Sequence, residues 1–393
     1  MSLDAAAEPY VVVSADCHAG ADLRDYRPYL DPQLRDEFDA WAAAYVNPFG
    51  DLEDIYADRN WDSAKRLRHL EEDGIVAEVI FPNTVPPFYP ASGLVAAPPS
   101  KEDYPRRWAG IQAHNRWLAD FCQDAPGRRA GVAQVMFNDP AAAIAEMTRA
   151  RENGLFGGIL LPSIPPGSPI PPMWDESYEP IWAACADLDI PINNHGGGGM
   201  PNYDFSQGMS RIVYLTEFSF FSNRNVFHMA WSGVFERHPS LRYVITEQGF
   251  GEILNQIKVH DGWYAMLTGE GGGERAEGAR GLIGDYINTL PKSPGEYLRS
   301  NAWIGASFLN ATDAARRAEI GVDRVMWGAD YPHEEATWPH SRASIAAAVA
   351  GIPDDEVRKI LGLNAIEFYG FDATLLTKLA HEVGPRAAEL VAG

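Results

Sequence analysis

The chain has 393 residues, 46% of them hydrophobic, and its 54 acidic against 32 basic side chains give a formal charge of −22. That length suits one large α/β barrel or two ordinary domains, and the acidic balance without a basic cluster excludes nucleic acid and anionic membrane surfaces as partners. No stretch approaches the roughly 20 apolar residues needed to span a bilayer, and the first nine residues lack the basic start and apolar core of a signal peptide, so a cytoplasmic protein is expected.

In chain order, the first apolar run covers 11–15 and leads into Asp16-Cys17-His18. Side chains alternate along a strand, so Asp16 and His18 face one way, offering a carboxylate oxygen and an imidazole nitrogen to a common point. Residues 19–74 follow, rich in Pro, Tyr and Asp, then a second run at 75–82 and another long connection at 83–103. Further strands are predicted at 131–137, 158–162, 190–194, 242–246, 302–306 and 325–328, with helices at 104–123, 141–153, 176–188, 225–237, 313–320 and 341–350. Asp139-Pro140 and Asp354 read as helix starts, and 371–393 as a helical tail. Eight strands alternating with helices predict a closed (β/α)8 TIM barrel forming one domain over 1–393; an open doubly wound sheet is the alternative. The connections 19–74, 83–103 and 196–224 are long for a simple barrel and are expected to cover its C-terminal mouth. The tip 269–274 is expected to be a flexible surface turn. Cys17, Cys122 and Cys185 lie in apolar surroundings and read as buried thiols.

Barrel strands converge at their C-terminal ends. There the chain places Asp16 and His18, His195 followed by four glycines, Glu247, and Asp330 followed by Tyr331-Pro332-His333. Two imidazoles and two carboxylates suit one divalent ion, Zn2+ first, with Mn2+ and Fe2+ served by the same donors. A metal-bound water would be a nucleophile near neutral pH. Asp330 can then act as ligand and proton shuttle, Glu247 as a second acid/base or as the group that orients His195, and His333 as a donor to substrate. His228 lies mid-helix, either facing the mouth or packed in the helix layer, and His238 before Pro239 reads as a surface residue. Phe88, Tyr89, Trp174, Tyr178, Tyr203 and Phe205 are candidates for stacking on an aromatic or cyclic substrate. Met200, Asn202 and Arg211 lie in the 196–224 connection, where Arg211 could pair with a substrate carboxylate.

Asp16-Cys17-His18, Pro191-Ile192-Asn193-Asn194-His195-Gly196, Ser232-Gly233-Val234-Phe235-Glu236-Arg237-His238-Pro239, Gly328-Ala329-Asp330-Tyr331-Pro332-His333 and Asn364-Ala365-Ile366-Glu367-Phe368-Tyr369-Gly370 together resemble the amidohydrolase-related metal-dependent barrel family, amidohydrolase family 2. The resemblance implies a mononuclear site with Asp16, His18, His195 and Asp330 as ligands; no lysine ends the fourth strand to bridge a second ion. It also implies a small-molecule substrate and a homodimer. Two departures stand out: Asp16 replaces the first ligand of the usual H-x-H or E-x-H, and Glu247 stands where the family's decarboxylases carry a histidine. Three readings follow. The first is hydrolysis of an amide, ester, lactone or activated C–C bond. The second is nonoxidative decarboxylation of an aromatic or unsaturated acid, and the third a catalytically silent binding barrel.

Overall fold

The computed structural model describes residues 8–47, 55–90, 96–201, 203–204, 206–269 and 274–391. Its strands are β1 (Val12–Ala19), β2 (Ile75–Pro82), β3 (Arg129–Gly131), β4 (Ala133–Gln134), β5 (Ile159–Leu160), β6 (Ile192–His195), β7 (Tyr243–Thr246), β8 (Ala302–Ser307) and β9 (Val325–Gly328), and every pairing is parallel. The predicted strand 131–137 is two short pieces broken at Val132. Hydrogen bonds cross the break: Val132 N donates to Ile80 O at 2.9 Å and Ala133 N to Gly158 O at 2.9 Å. At the other seam Asp330 N donates to Asp16 O at 2.8 Å and His18 N to Tyr331 O at 2.6 Å, joining the last strand to the first. The sheet is therefore a barrel and not the open alternative.

The interior is packed by Val13, Ala15, Val79, Val132, Val244 and Met326, while Val12, Cys17, Ile245 and Trp327 belong to the layer between strands and helices. Val13 and Ala15 face inward but Cys17 faces outward, because a bulge in β1 between Ser14 and Cys17 shifts the register against β2. The extra residue turns Asp16 inward together with His18.

Helices α1 (Arg35–Ala44) and α2 (Ser63–Glu72) fall within 19–74, and α3 (Tyr104–Gln123), α4 (Pro140–Glu152) and α5 (Glu179–Asp187) follow. Asp139 caps α4 through the N–H groups of Ala141 and Ala142, as its sequence position implied. The 196–224 connection is not a loop throughout: α6 runs from Gly208 to Trp231 and absorbs most of the helix expected at 225–237. Aromatic and β-branched residues at 212–221 hid its period. The helix expected at 313–320 is a four-residue turn, Ala311–Ala314, and a 3-10 turn, Arg317–Glu319. Helices Phe250–Thr268, Pro294–Asn301 and Ala373–Val383 complete much of the outer layer. The 269–274 tip lies outside the described residues apart from its ends. No described helix is long and apolar enough to cross a membrane.

Two buried polar networks tie the first connection to the barrel. Arg66 of α2 donates to Glu78 of β2 and, through Nη1, to His18 O at 2.7 Å, with Arg129 on the far side of Glu78. Tyr26 links Thr84 and His114 of α3, both at 2.8 Å. Burial pushes the His114 imidazole down to about 3, so it stays neutral in the folded chain. In the unfolded chain it takes up a proton near pH 6.5. The stability it contributes is full above that pH and drains as pH falls toward 3. Urea unfolding at pH 7 and pH 4.5 should therefore show a shallower acid loss in His114→Asn than in the parent, by up to ~1.4 kcal/mol per pH unit.

Candidate metal centre

The mouth is assembled at strand ends. The bulge in β1 delivers Asp16 and His18, the last residue of β6 is His195, Glu247 follows β7 directly and Asp330 lies two residues past β9. Glu247 and Asp330 both have left-handed backbones, φ 54° and 60°. Such conformations are costly for residues other than glycine and persist where the surroundings enforce them, often at functional sites. Here they turn each chain out of its strand just as the carboxylate arrives.

Donor atoms of Asp16, His18, His195 and Glu247 all lie within 4.8 Å of one another. His18 Nε2 is 3.3 Å from Asp16 Oδ1 and 3.2 Å from Asp330 Oδ1, and His195 Nε2 is 3.3 Å from both Asp16 Oδ1 and Glu247 Oε2. His333 extends the cluster, its Nδ1 2.8 Å from Asp330 Oδ1 and its ring stacked on His18 at 4.1 Å. Ser307, at the end of β8, donates to Asp16 Oδ2. The distal nitrogens are tied to backbone: His18 Nδ1 to Pro82 O and His195 Nδ1 to Gly196 O, both at 3.2 Å. Those carbonyls require N–H at Nδ1, which leaves the Nε2 lone pairs directed at the centre.

The electrostatics call for a cation. Three buried or half-buried carboxylates converge, and among the described residues none is paired with lysine or arginine. His18 Nε2 and both Asp330 oxygens are buried without a hydrogen bond of acceptable geometry. Protons stand in where no cation does. Burial opposes charge on His18, but Asp16 and Asp330 hold it well above the usual histidine range. Burial likewise opposes charge on Asp16, yet His18 and His195 keep it well below the carboxylate range. Burial, reinforced by Asp330 and Asp16 and opposed by His195, pushes Glu247 up to about 8. Asp330 is lowered: His18 and His333 outweigh its burial. Excess negative charge, two imidazoles in the metal-ready tautomer and unpaired inward donors fit a divalent ion.

The structure thus brings together Asp16, His18, His195, Glu247, Asp330 and His333. It does not bring His228 to them. His228, on α6, lines a separate cavity of about 880 Å³ with Trp174, Glu179, Trp231 and Tyr286, and belongs to none of the groups that could hold a metal. Burial, aided by Arg224 and His260, lowers it to about 4, as expected of a neutral packed histidine. His238 is not a free surface residue but pairs with Glu179 at 2.7 Å. Tyr178 packs against Phe137 and Trp182 in the helix layer, Trp174 is exposed, and Arg211 is exposed in the first turn of α6. Phe205 and Asn202 lie outside the described residues. Sequence reasoning missed Ser307 and Asn83, which accepts from His333 Nε2 at 3.1 Å. Each follows an apolar run by a residue or two, the only signal either carries.

Comparison with known proteins bears on family and fold. The amidohydrolase family model matches residues 15–371. A gamma-resorcylate decarboxylase of Polaromonas sp. (strain JS666) is 24% identical over 289 residues, 69% of this chain and 77% of that protein. One from Rhodococcus jostii is 27% identical over 270 residues, 64% and 76% of the two chains. Among solved structures, an amidohydrolase from Mycobacterium avium subsp. paratuberculosis superposes with a TM-score of 0.65 at 20% identity, covering 92% of this chain and 99% of that one. The dihydroxybenzoic acid decarboxylase of Polaromonas sp. JS666, with bound manganese and 2-nitroresorcinol, gives 0.58 at 19% identity, covering 91% and 96%. The structural likenesses establish a shared fold, and the family match spans nearly the whole barrel: the chain belongs to the amidohydrolase family.

Proposed function

We propose that the chain is a metal-dependent nonoxidative decarboxylase of a hydroxylated aromatic acid. One observation carries the reading: Asp330 stands buried at the mouth with both oxygens free of hydrogen bonds, 3.2 Å from His18 Nε2 and 2.8 Å from His333 Nδ1. A carboxylate so placed can take a proton from His333 and relay it to a carbon held at the centre, the step that decarboxylation requires. The curated relatives favour this reaction over the hydrolysis expected first from the sequence. The ligand types serve water activation as well, so the residues alone pointed to hydrolysis.

Asp16, His18 and His195 would hold the ion, with the Asp330 and Glu247 carboxylates on its flanks. The ion supplies Lewis acidity, anchoring the substrate's oxygen atoms and drawing off their charge. Manganese is favoured over the zinc expected from ligand chemistry, because two structural neighbours carry manganese and the same donors accept it.

The chain's own residues manage the proton. Asn60 Nδ2 donates to Ala57 O, and Asn60 Oδ1 accepts from Asn83 Nδ2 at 2.6 Å, so Asn83 presents its oxygen to His333 Nε2–H and His333 Nδ1 is left facing Asp330. A proton passes from Asp330 to the ring carbon bearing the carboxylate. The bond to the carboxyl carbon breaks, its electron pair returns to the ring, and CO2 departs. One proton and no water are consumed, and His333 returns a proton to Asp330. Glu247 stands where the family resemblance places a histidine in the decarboxylases, and its Oε2 lies 3.3 Å from His195 Nε2, so it joins the donors at the centre.

Protein loaded with Mn2+ and given a panel of mono- and dihydroxybenzoic acids should release one CO2 per molecule of arene formed. Two hydrolytic fragments, or a ring-opened acid without CO2, would overturn the proposal in favour of hydrolysis. Asp330→Asn should lower turnover by about 10²–10⁴-fold, and Asp16→Ala/His195→Ala should lose the metal by elemental analysis. A third variant tests the backbone fit: a Cβ at Gly328 would lie 2.7 Å from Asp16 Cβ and 3.0 Å from Ser307 Oγ. Gly328→Ala should therefore weaken Mn2+ binding by at least about tenfold with an unchanged far-ultraviolet circular dichroism spectrum.

A further inference from the structure

Near the strand ends, three residues that each carry a buried polar atom without a partner line one small cavity: one on α3, one on β4 and one in the turn after β4. Arg107 of α3 is 8% exposed; its Nη1 donates to Ala97 O at 2.9 Å and its guanidinium lies 4.3 Å over the Tyr89 ring, yet Nε finds no acceptor. Gln134, the last residue of β4, has an amide nitrogen with no acceptor. Asn138 donates to Pro99 O at 3.2 Å, which leaves its Oδ1 without a donor. All three line a cavity of about 30 Å³ that Leu160 and Ser163 also wall. Buried polar groups are nearly always satisfied, so three orphans facing one space mark a place made for an oxygen.

The cavity sits beside the strands that lead to His195. Gln134 is in register with Leu160, and Leu160 with Asn193, two residues before His195. Ser163 accepts from Gly199 N at 2.9 Å, in the turn that leaves His195.

Two donors and one acceptor define the occupant. It must accept twice and donate once, and the space admits a single water-sized group. A carboxylate or an ether oxygen cannot donate; a hydroxyl does both. Resting on the decarboxylase reading, we propose that Arg107, Gln134 and Asn138 form a subsite that selects for a phenolic hydroxyl of the substrate. The Arg107 charge strengthens the bond to that oxygen, and an analogue without the hydroxyl would leave all three groups unpaired.

The test is calorimetric titration of the Mn2+-loaded protein with benzoate and with the isomeric mono- and dihydroxybenzoates, at a temperature where turnover is slow. The wild type should bind at least one hydroxybenzoate about tenfold or more tightly than benzoate. Gln134→Met, which keeps the volume and removes the donor, should lose that preference while benzoate binding stays within about twofold; Arg107→Met should do the same if it folds. A wild type with no hydroxyl preference, or variants that weaken both ligands equally, would overturn the subsite and leave the cavity to an ordered water. CO2 release by the same samples reports on the reaction separately: a hydroxyl preference without CO2 supports the subsite and removes the decarboxylation.

Discussion

The constraint on which the site depends is a surplus of negative charge in a place water scarcely reaches. Asp16, Asp330 and Glu247 converge where the only opposing groups within ion-pair distance, among the described residues, are imidazoles. Isolated carboxylates do not persist in such surroundings; they are paired, protonated or metallated. The raised Glu247 and His18 are the protonated answer to that demand. A divalent ion is the other answer, and the fixed Nδ1–H bonds of His18 and His195 prepare the nitrogens for it. Metal uptake and proton release are then one equilibrium at this mouth.

The barrel is arranged to sustain this convergence. The bonds that close it, Asp330 N to Asp16 O and His18 N to Tyr331 O, are made by the backbone of the residues that carry the site. Arg66 grips the His18 carbonyl from outside the barrel, fixed by its ion pair with Glu78. Replacing either partner would leave the other charge buried and alone. The left-handed backbone at Asp330 is held by the same closure, and that at Glu247 by its N–H bond to Gly305 O of β8. Fold and site are therefore not separable: a change that loosens the seam between the first and last strands loosens the ligands too.

Much of this was legible in the residues. Each strand centred close to its apolar run, because parallel barrel strands are buried on both faces and read as continuous Val and Ile. The strand-end donors were legible for the same reason, since a polar residue closing such a run has only the mouth to face. What stayed hidden was hidden by physics that period cannot express. The β1 bulge depends on pairing with β2 and not on local sequence. The helix Gly208–Trp231 mixes aromatic, β-branched and small polar residues, whose weak helix preference is overridden by packing. His228 has the right residue type but lies on the outer helix layer, a distinction that needs three dimensions. Hydrolysis is the first expectation from the residues because a metal-bound water beside a carboxylate suits it and Glu247 stands where the resemblance expects a decarboxylase histidine; the relatives favour the alternative.

On the family resemblance, the residue that most sets this mouth apart is Glu247, where a decarboxylase histidine is expected. A histidine there would be neutral or cationic beside the metal, whereas glutamate adds a carboxylate to a cluster already holding two. Burial and the neighbouring carboxylates raise its pKa, which favours the protonated form where no cation balances it. A bound ion changes the balance, since a nearby divalent charge favours the ionised carboxylate. The glutamate would then shift negative charge toward the ion and temper its Lewis acidity. A less acidic ion polarises its substrate less, which places more of the work on the proton donor. On the proposed reading that requirement would fall to the pair His333 and Asp330, whose geometry Asn83 and Asn60 fix from behind. The departure on one side of the mouth and the proton relay on the other are in this sense two halves of one arrangement.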